Sequence, residues 1–212
     1  IAMTLEFAVF ALMLGLLASQ LRGKVRGPLE WACHALLSFA ASATYILLGG
    51  RYSIPLLFLA NALLYAGILA IPIGLAYYLG ERPRWGWCVF GWALGLAIFF
   101  WFMVLQPNTA ARVWAYSLFG ASVFMFSAGY ILKRAPDDMA VPTRIAAAFY
   151  ALYSLLNLGR IVVFILRSRQ VPVFGRLVGD EVFFVGALFI YPGMVFAELQ
   201  LVSARLVQDL AK

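Results

Sequence analysis

The chain has 212 residues, 65% of them hydrophobic, with a mean hydropathy of +0.93 and a formal net charge of +7. That apolar content excludes a soluble globular domain. In a membrane protein the basic excess belongs to cytoplasmic loops that face anionic lipid, so it does not argue for nucleic acid as a partner.

Seven apolar runs are long enough to cross a bilayer, which takes about 20 apolar residues per helix. The first, residues 3–21, lacks the basic leader and the small-residue cleavage site of a signal peptide and reads as a retained helix. The basic loop Arg22-Gly-Lys24-Val-Arg26-Gly-Pro28 leads into the second run, 29–48, where Glu30 suits the positive end of the helix dipole. His34, the only histidine, has just Cys33 beside it, too few ligands for a metal, so it is expected to pack or cap. The third run, 55–79, opens on Pro55, favoured in a first helical turn, and contains Pro72. The fourth, 86–105, carries Gly91-x-x-x-Gly95, a spacing that permits close helix approach. The fifth covers 111–132, the sixth 143–166 and the seventh 181–202. Pro72 and the pair Pro192-Gly193 are expected to kink their helices. The chain thus reads as all-α: a polytopic bundle of seven transmembrane helices, with short loops that make sequential helices neighbours.

Basic residues set the expected orientation. With the first loop inside, Arg22, Lys24, Arg26, Arg82, Arg84, Lys133, Arg134, Arg144, Arg205 and Lys212 are internal, against Arg51, Arg112, Arg167, Arg169 and Arg176 outside. The bias places the N-terminus outside and the C-terminus in the cytoplasm. Trp31, Trp85 and Trp87 then fall at the inner interface and Trp114 at the outer, as aromatic belts do. Cys33 and Cys88 lie near inner helix ends and are expected as free thiols.

In the sixth run, Tyr150, Tyr153, Asn157 and Arg160 are spaced three, four and three residues apart, which puts all four on one helix face. A guanidinium at that depth requires a partner, a wet cavity or the interface. Other helices place polar groups at the same outer depth: Glu6, Ser42, Tyr45, Asn61 with Tyr65, Arg112 with Tyr116 and Ser117, and Asp180-Glu181. An apolar, aromatic-lined cavity with a few converging polar groups is the usual form of a small-molecule site. Its expected ligand-binding residues are Arg160, Asn157, Tyr153, Asn61, Tyr65, Tyr116 and Arg112, and Arg160 with Arg112 or Arg51 would clamp a carboxylate. The competing structural reading makes Asn61 and Asn157 interhelical glue, and either pairs Arg160 with Glu6 or Glu181 or lets it snorkel.

Residues 1–202 form one sensor domain in this reading. Val195, Leu199, Val202 and Leu206 repeat four, three and four apart, the seam of a coiled coil, so residues 203–212 read as the start of a cytoplasmic stem that pairs two subunits. No phosphate loop, dinucleotide fingerprint or metal-ligand cluster is present. Lys24, Lys133 and Lys212 are the only lysines and none lies at membrane depth, so a retinal Schiff base is excluded. No catalytic residue, cofactor or metal is expected.

Several segments carry a resemblance: Leu59-Ala-Asn61-Ala-Leu-Leu-Tyr65-Ala-Gly67, then Leu79-Gly-Glu-Arg-Pro83, then Val104-Leu-Gln-Pro107-Asn108 followed by Ala111-Arg112-Val113 and Ser117. With a sixth helix ending in Arg160 and a seventh running into a charged stem, the chain resembles the N-terminal seven-helix sensory region of bacterial membrane-bound GGDEF-type diguanylate cyclases, found also on some histidine kinases. The resemblance implies a dimeric input module controlling a cytoplasmic cyclase. No Gly-Gly-Asp-Glu-Phe signature occurs here. The expected function is therefore sensory, with an outer pocket for a small amphiphile or anion and Pro192-Gly193 in signal transmission. A small-solute transporter or channel, and a ligand-free membrane anchor and dimeriser, are the alternatives.

Overall fold

A computed structural model describes residues 1–21, 24–49, 53–168 and 178–210, without the side chains of 167–168, 178–182 and 210. Arg22, Arg51, Arg169, Arg176 and Lys212, and the side chains of Arg167, Asp180 and Glu181, lie outside the described residues. The helices are α1 (Ala2–Gln20), α2 (Pro28–Leu48), α3 (Ile54–Tyr78), α4 (Trp85–Phe100), α5 (Thr109–Arg134), α6 (Ala140–Ser168) and α7 (Val178–Leu210). A π-helical turn, Trp101–Leu105, extends α4. All seven are long and apolar enough to cross a membrane, which makes this a multi-pass membrane protein.

Local chemistry accounts for the boundaries. Pro28 and Pro55 sit in first turns, where a missing N–H costs nothing. The Asn108 side chain accepts from the backbone N–H of Ala111 at 3.0 Å, and this cap starts α5 two residues earlier than the apolar pattern alone places it. Helices α6 and α7 likewise overrun their apolar runs, because a helix continues past the hydrocarbon boundary wherever nothing terminates it.

The order of contacts gives the architecture. α1 packs on α2, α2 on α3, α3 on α5, α5 on α6, α6 on α7, and α7 returns to α1. These six form a closed ring. α4 stands outside it, touching α3 and α5. Glycines set the closest approaches. A Cβ on Gly74 of α3 would fall 2.5 Å from the Trp31 indole of α2, and one on Gly95 of α4 would fall 2.9 Å from the Tyr65 ring. Gly91 meets nothing nearer than Phe119 at 3.8 Å, so of the expected glycine pair only Gly95 marks the crossing.

The two ends of the ring differ. Towards the end where α2 and α4 begin, Trp31, Ile71, Leu75, Ile131, Met139 and Leu201 are buried in one core cluster. There the Tyr78 hydroxyl donates to the Leu201 carbonyl at 2.8 Å, tying α3 to α7. α7 runs unbroken through Pro192, and Phe149 of α6 lies against Gly193 where no Cβ would fit. Val195 and Val202, expected on a seam between subunits, are instead buried in the chain's own core. The cause is that one apolar face of α7 is already used to close the ring. Its outward face shows Phe189, Phe196 and Val207.

Candidate functional site

Inside the ring, a cavity of about 660 Å³ opens at the end where α1, α3, α5 and α7 begin and α2 and α6 finish. Every helix of the ring contributes to it. From α2 come His34, Ser38, Ser42 and Tyr45, from α3 Leu57, Asn61, Leu64 and Ile68, and from α5 Arg112, Tyr116 and Phe124. Tyr153 and Arg160 of α6 face Phe183, Phe184 and Leu188 of α7, and Phe7 of α1 completes the apolar wall. From Tyr45 to His34 the cavity follows eleven residues of α2, roughly 16 Å at 1.5 Å rise per residue.

The polar groups gather at the mouth. Asn61 donates through Nδ2 to the Tyr45 hydroxyl at 2.6 Å and to the Leu57 carbonyl at 2.8 Å. Its amide protons are thereby occupied, while its Oδ1 stays an acceptor and Tyr45 keeps its own proton to donate. Arg112 donates from Nη2 to Thr109 at 2.8 Å, which holds the side chain over the first turn of α5, with its Cζ 6.0 Å from the Phe99 ring centre. Arg160 lies with its Cζ 4.6 Å from the Phe183 ring centre, a cation–π contact that fixes the guanidinium on the cavity wall. α6 continues eight residues beyond Arg160, roughly 12 Å, so the charge sits well below the helix end. Two guanidiniums and three tyrosines thus share one mouth, above a wall of phenylalanine and leucine.

Of the expected site residues, the structure brings Arg160, Arg112, Asn61, Tyr116 and Tyr153 to this cavity. Tyr65 and Asn157 are elsewhere. Tyr65 turns outward against Gly95, packing edge-on to Tyr116 at 5.7 Å and Phe119 at 4.7 Å, because α4 leaves room only for its ring. Asn157 donates to the Tyr153 carbonyl of its own helix at 2.8 Å and packs its amide against Gly120 of α5, so it lies in the α5–α6 contact rather than in the cavity. Glu6 makes no ion pair among the described residues, and the side chain of Glu181 lies outside them.

Two groups outside the expected site are also buried in the bundle, one of them His34, which packs as expected. His34 lines the cavity floor, with Nδ1 2.9 Å from the Gly67 carbonyl. Its depth was legible, but its direction depends on the Gly67 contact. Glu198 reads as a polar residue off the α7 seam, yet it is 2% exposed and accepts from the Tyr150 hydroxyl at 3.1 Å. That pair joins α6 to α7 about one and a half helical turns below Pro192-Gly193. Glu198→Ala leaves the Tyr150 hydroxyl buried without its acceptor and is expected to cost about 1–3 kcal/mol in detergent unfolding. Glu198→Gln keeps an acceptor and should recover most of that loss.

Two prolines bear on the cavity. Pro72 offers no N–H to the carbonyl of Ile68, and Pro192 none to that of Leu188. Ile68 and Leu188 both line the cavity, so its wall lies over the turns of α3 and α7 that lack a helical hydrogen bond. Comparison with protein-family models, with curated proteins and with solved structures finds no match to this chain.

Proposed function

We propose that this chain is a membrane-embedded sensory module whose cavity takes a small anionic amphiphile, such as a medium-chain carboxylate, from the outer side. The observation that carries this reading is the pairing of Arg112 and Arg160 at the mouth of one elongated, apolar-walled cavity. A carboxylate suits the planar fork of each guanidinium, and an alkyl chain suits the wall below. The chain would lie against Ile68 and Leu188, over the turns weakened by Pro72 and Pro192. A ligand that fits one packing of α7 better than another shifts the balance between them.

The response would leave through α7. At 33 residues it is roughly 50 Å long, against about 30 Å of hydrocarbon, so it extends well past the membrane. Two copies would meet along the outward strip of Phe189, Phe196 and Val207, and through the stem beyond it. With the N-terminus outside a bacterial inner membrane, the stem would govern a cytoplasmic diguanylate cyclase of the GGDEF type. A coding sequence that continues past Lys212 into some other output domain would overturn that last assignment.

A transporter reading is less well supported. It needs a polar route onward from His34 and Ser38, where the buried cluster of Trp31, Ile71, Leu75 and Met139 stands. Transmission is tested by disulfide crosslinking of Val207→Cys in membranes, with Cys33 and Cys88 replaced by serine. Decanoate is expected to change the crosslinking rate several-fold. An unchanged rate together with decanoate uptake into proteoliposomes would replace the sensor by a carrier.

A further inference from the structure

A second cavity, of about 800 Å³, lies outside the ring between α4 and the surface made by α3 and α5. It is separate from the sensory cavity, divided from it by the edge-on contact of Tyr65 with Tyr116. Its origin is the way α4 docks. The helix is buried only from Gly95 onward, through Leu96, Phe99 and the following Met103, whereas Trp85, Trp87, Val89 and Phe90 are exposed. Gly95 presses on Tyr65, and from there towards its N-terminus α4 diverges from the bundle and leaves a wedge-shaped cleft.

The chemistry of the cleft is graded along its length. Deep in it the walls are apolar, with Leu69, Ile73, Leu94, Ile98, Phe119 and Val123. At its open end stand Arg82, Arg84 and Arg134 with Glu81. Arg134 lies 3.6 Å from Glu81, whose other oxygen accepts from Tyr130 at 2.8 Å, so that carboxylate is engaged. Arg82 and Arg84 make no ion pair among the described residues. Three guanidiniums against one carboxylate leave two positive charges. From Arg84 to Ile98 the cleft runs fourteen residues of α4, roughly 21 Å, more than the roughly 15 Å of hydrocarbon in one leaflet.

We propose that this cleft is a binding site for one anionic glycerophospholipid of the adjacent leaflet. One acyl chain fills the wedge between α4 and α5, and the phosphate sits on Arg82 and Arg84, with Arg134 at its edge. Charge complementarity selects the headgroup, since a zwitterionic lipid brings its own cation to the same arginines. The length of the apolar wall selects a full acyl chain rather than a soluble anion. The bound chain also adds packing to the N-terminal half of α4, whose Trp85, Trp87, Val89 and Phe90 are exposed and whose Trp92 donates to the Ala62 carbonyl at 3.1 Å, so occupancy bears on the angle of α4 on the ring.

The test is native mass spectrometry of the delipidated protein in detergent, titrated with dioleoyl phosphatidylglycerol or dioleoyl phosphatidylcholine. One phosphatidylglycerol adduct is expected to bind on the order of tenfold tighter than the phosphatidylcholine adduct. Arg82→Gln with Arg84→Gln, both exposed and safe for folding, should remove that preference. Gly91→Leu, whose Cβ meets only Phe119 at an ordinary 3.8 Å, puts a side chain into the cleft and should weaken both lipids while leaving their ratio intact. Equal affinity for the two lipids in the wild type, or a preference that survives the arginine changes, overturns the headgroup site. A Gly91→Leu protein with wild-type affinities overturns the placement of the acyl chain.

Discussion

Replacing both Arg112 and Arg160 by glutamine is expected to abolish the rise in melting temperature that the proposed site predicts for the detergent-solubilised protein with decanoate. Each guanidinium that holds a carboxylate in a site of low polarity contributes about 1.5–3 kcal/mol. Loss of both therefore corresponds to an affinity drop of about a hundredfold or more. Either single change should give roughly tenfold. Arg160 also braces Phe183, and its replacement will lower the starting stability. The ligand-induced increment, not the absolute melting temperature, is thus the quantity to read. Decanol supplies the internal comparison, because it fills the same apolar wall without a charge. Its increment should survive the double substitution. Equal decanoate increments in wild type and variant would remove the arginines from the site.

The second large effect belongs to α7. Phe149 of α6 covers Gly193 so closely that a methyl group has no space there. Gly193→Ala is expected to destabilise the bundle by about 1–3 kcal/mol, the usual range for overpacking a filled core. A smaller side chain at the neighbour should relieve it, so Gly193→Ala combined with Phe149→Leu should recover much of the loss, beyond what two independent changes give. If Gly193→Ala unfolds at the wild-type temperature, α6 and α7 are not in tight contact at that point. The same contact lies one residue from Pro192, so tightening it should also blunt any response of α7 to ligand.

The helices themselves were written plainly in the sequence, because a bilayer demands about 20 apolar residues per crossing and little else resembles that. So was much of the cavity. The spacing of Tyr153 and Arg160 fixes a common face, and helix depth brings Asn61, Tyr116 and Arg112 to the same level. Periodicity gives a face but not what stands opposite it. Asn157 shares that face with Arg160, yet it meets Gly120, where the missing side chain draws the amide into the α5 contact. Tyr65 follows Asn61 by one turn, yet it faces α4, and nothing in a single sequence states that α4 lies outside the ring. Val195 and Val202 show the same limit, since an apolar seam reads identically whether its partner is the same chain or another.

That α4 stands apart from a ring closed by α1 and α7 has a consequence for biogenesis. Helices leave the ribosome in order, and the groove that receives α4 is built partly from α5, which is synthesised after it. During that interval α4 has only α3 and lipid for company. The cavity inside the ring is later still, for its wall needs the first helix and the last. A nascent chain with six helices in the membrane holds an open gutter, which becomes an enclosed cavity only when the seventh arrives.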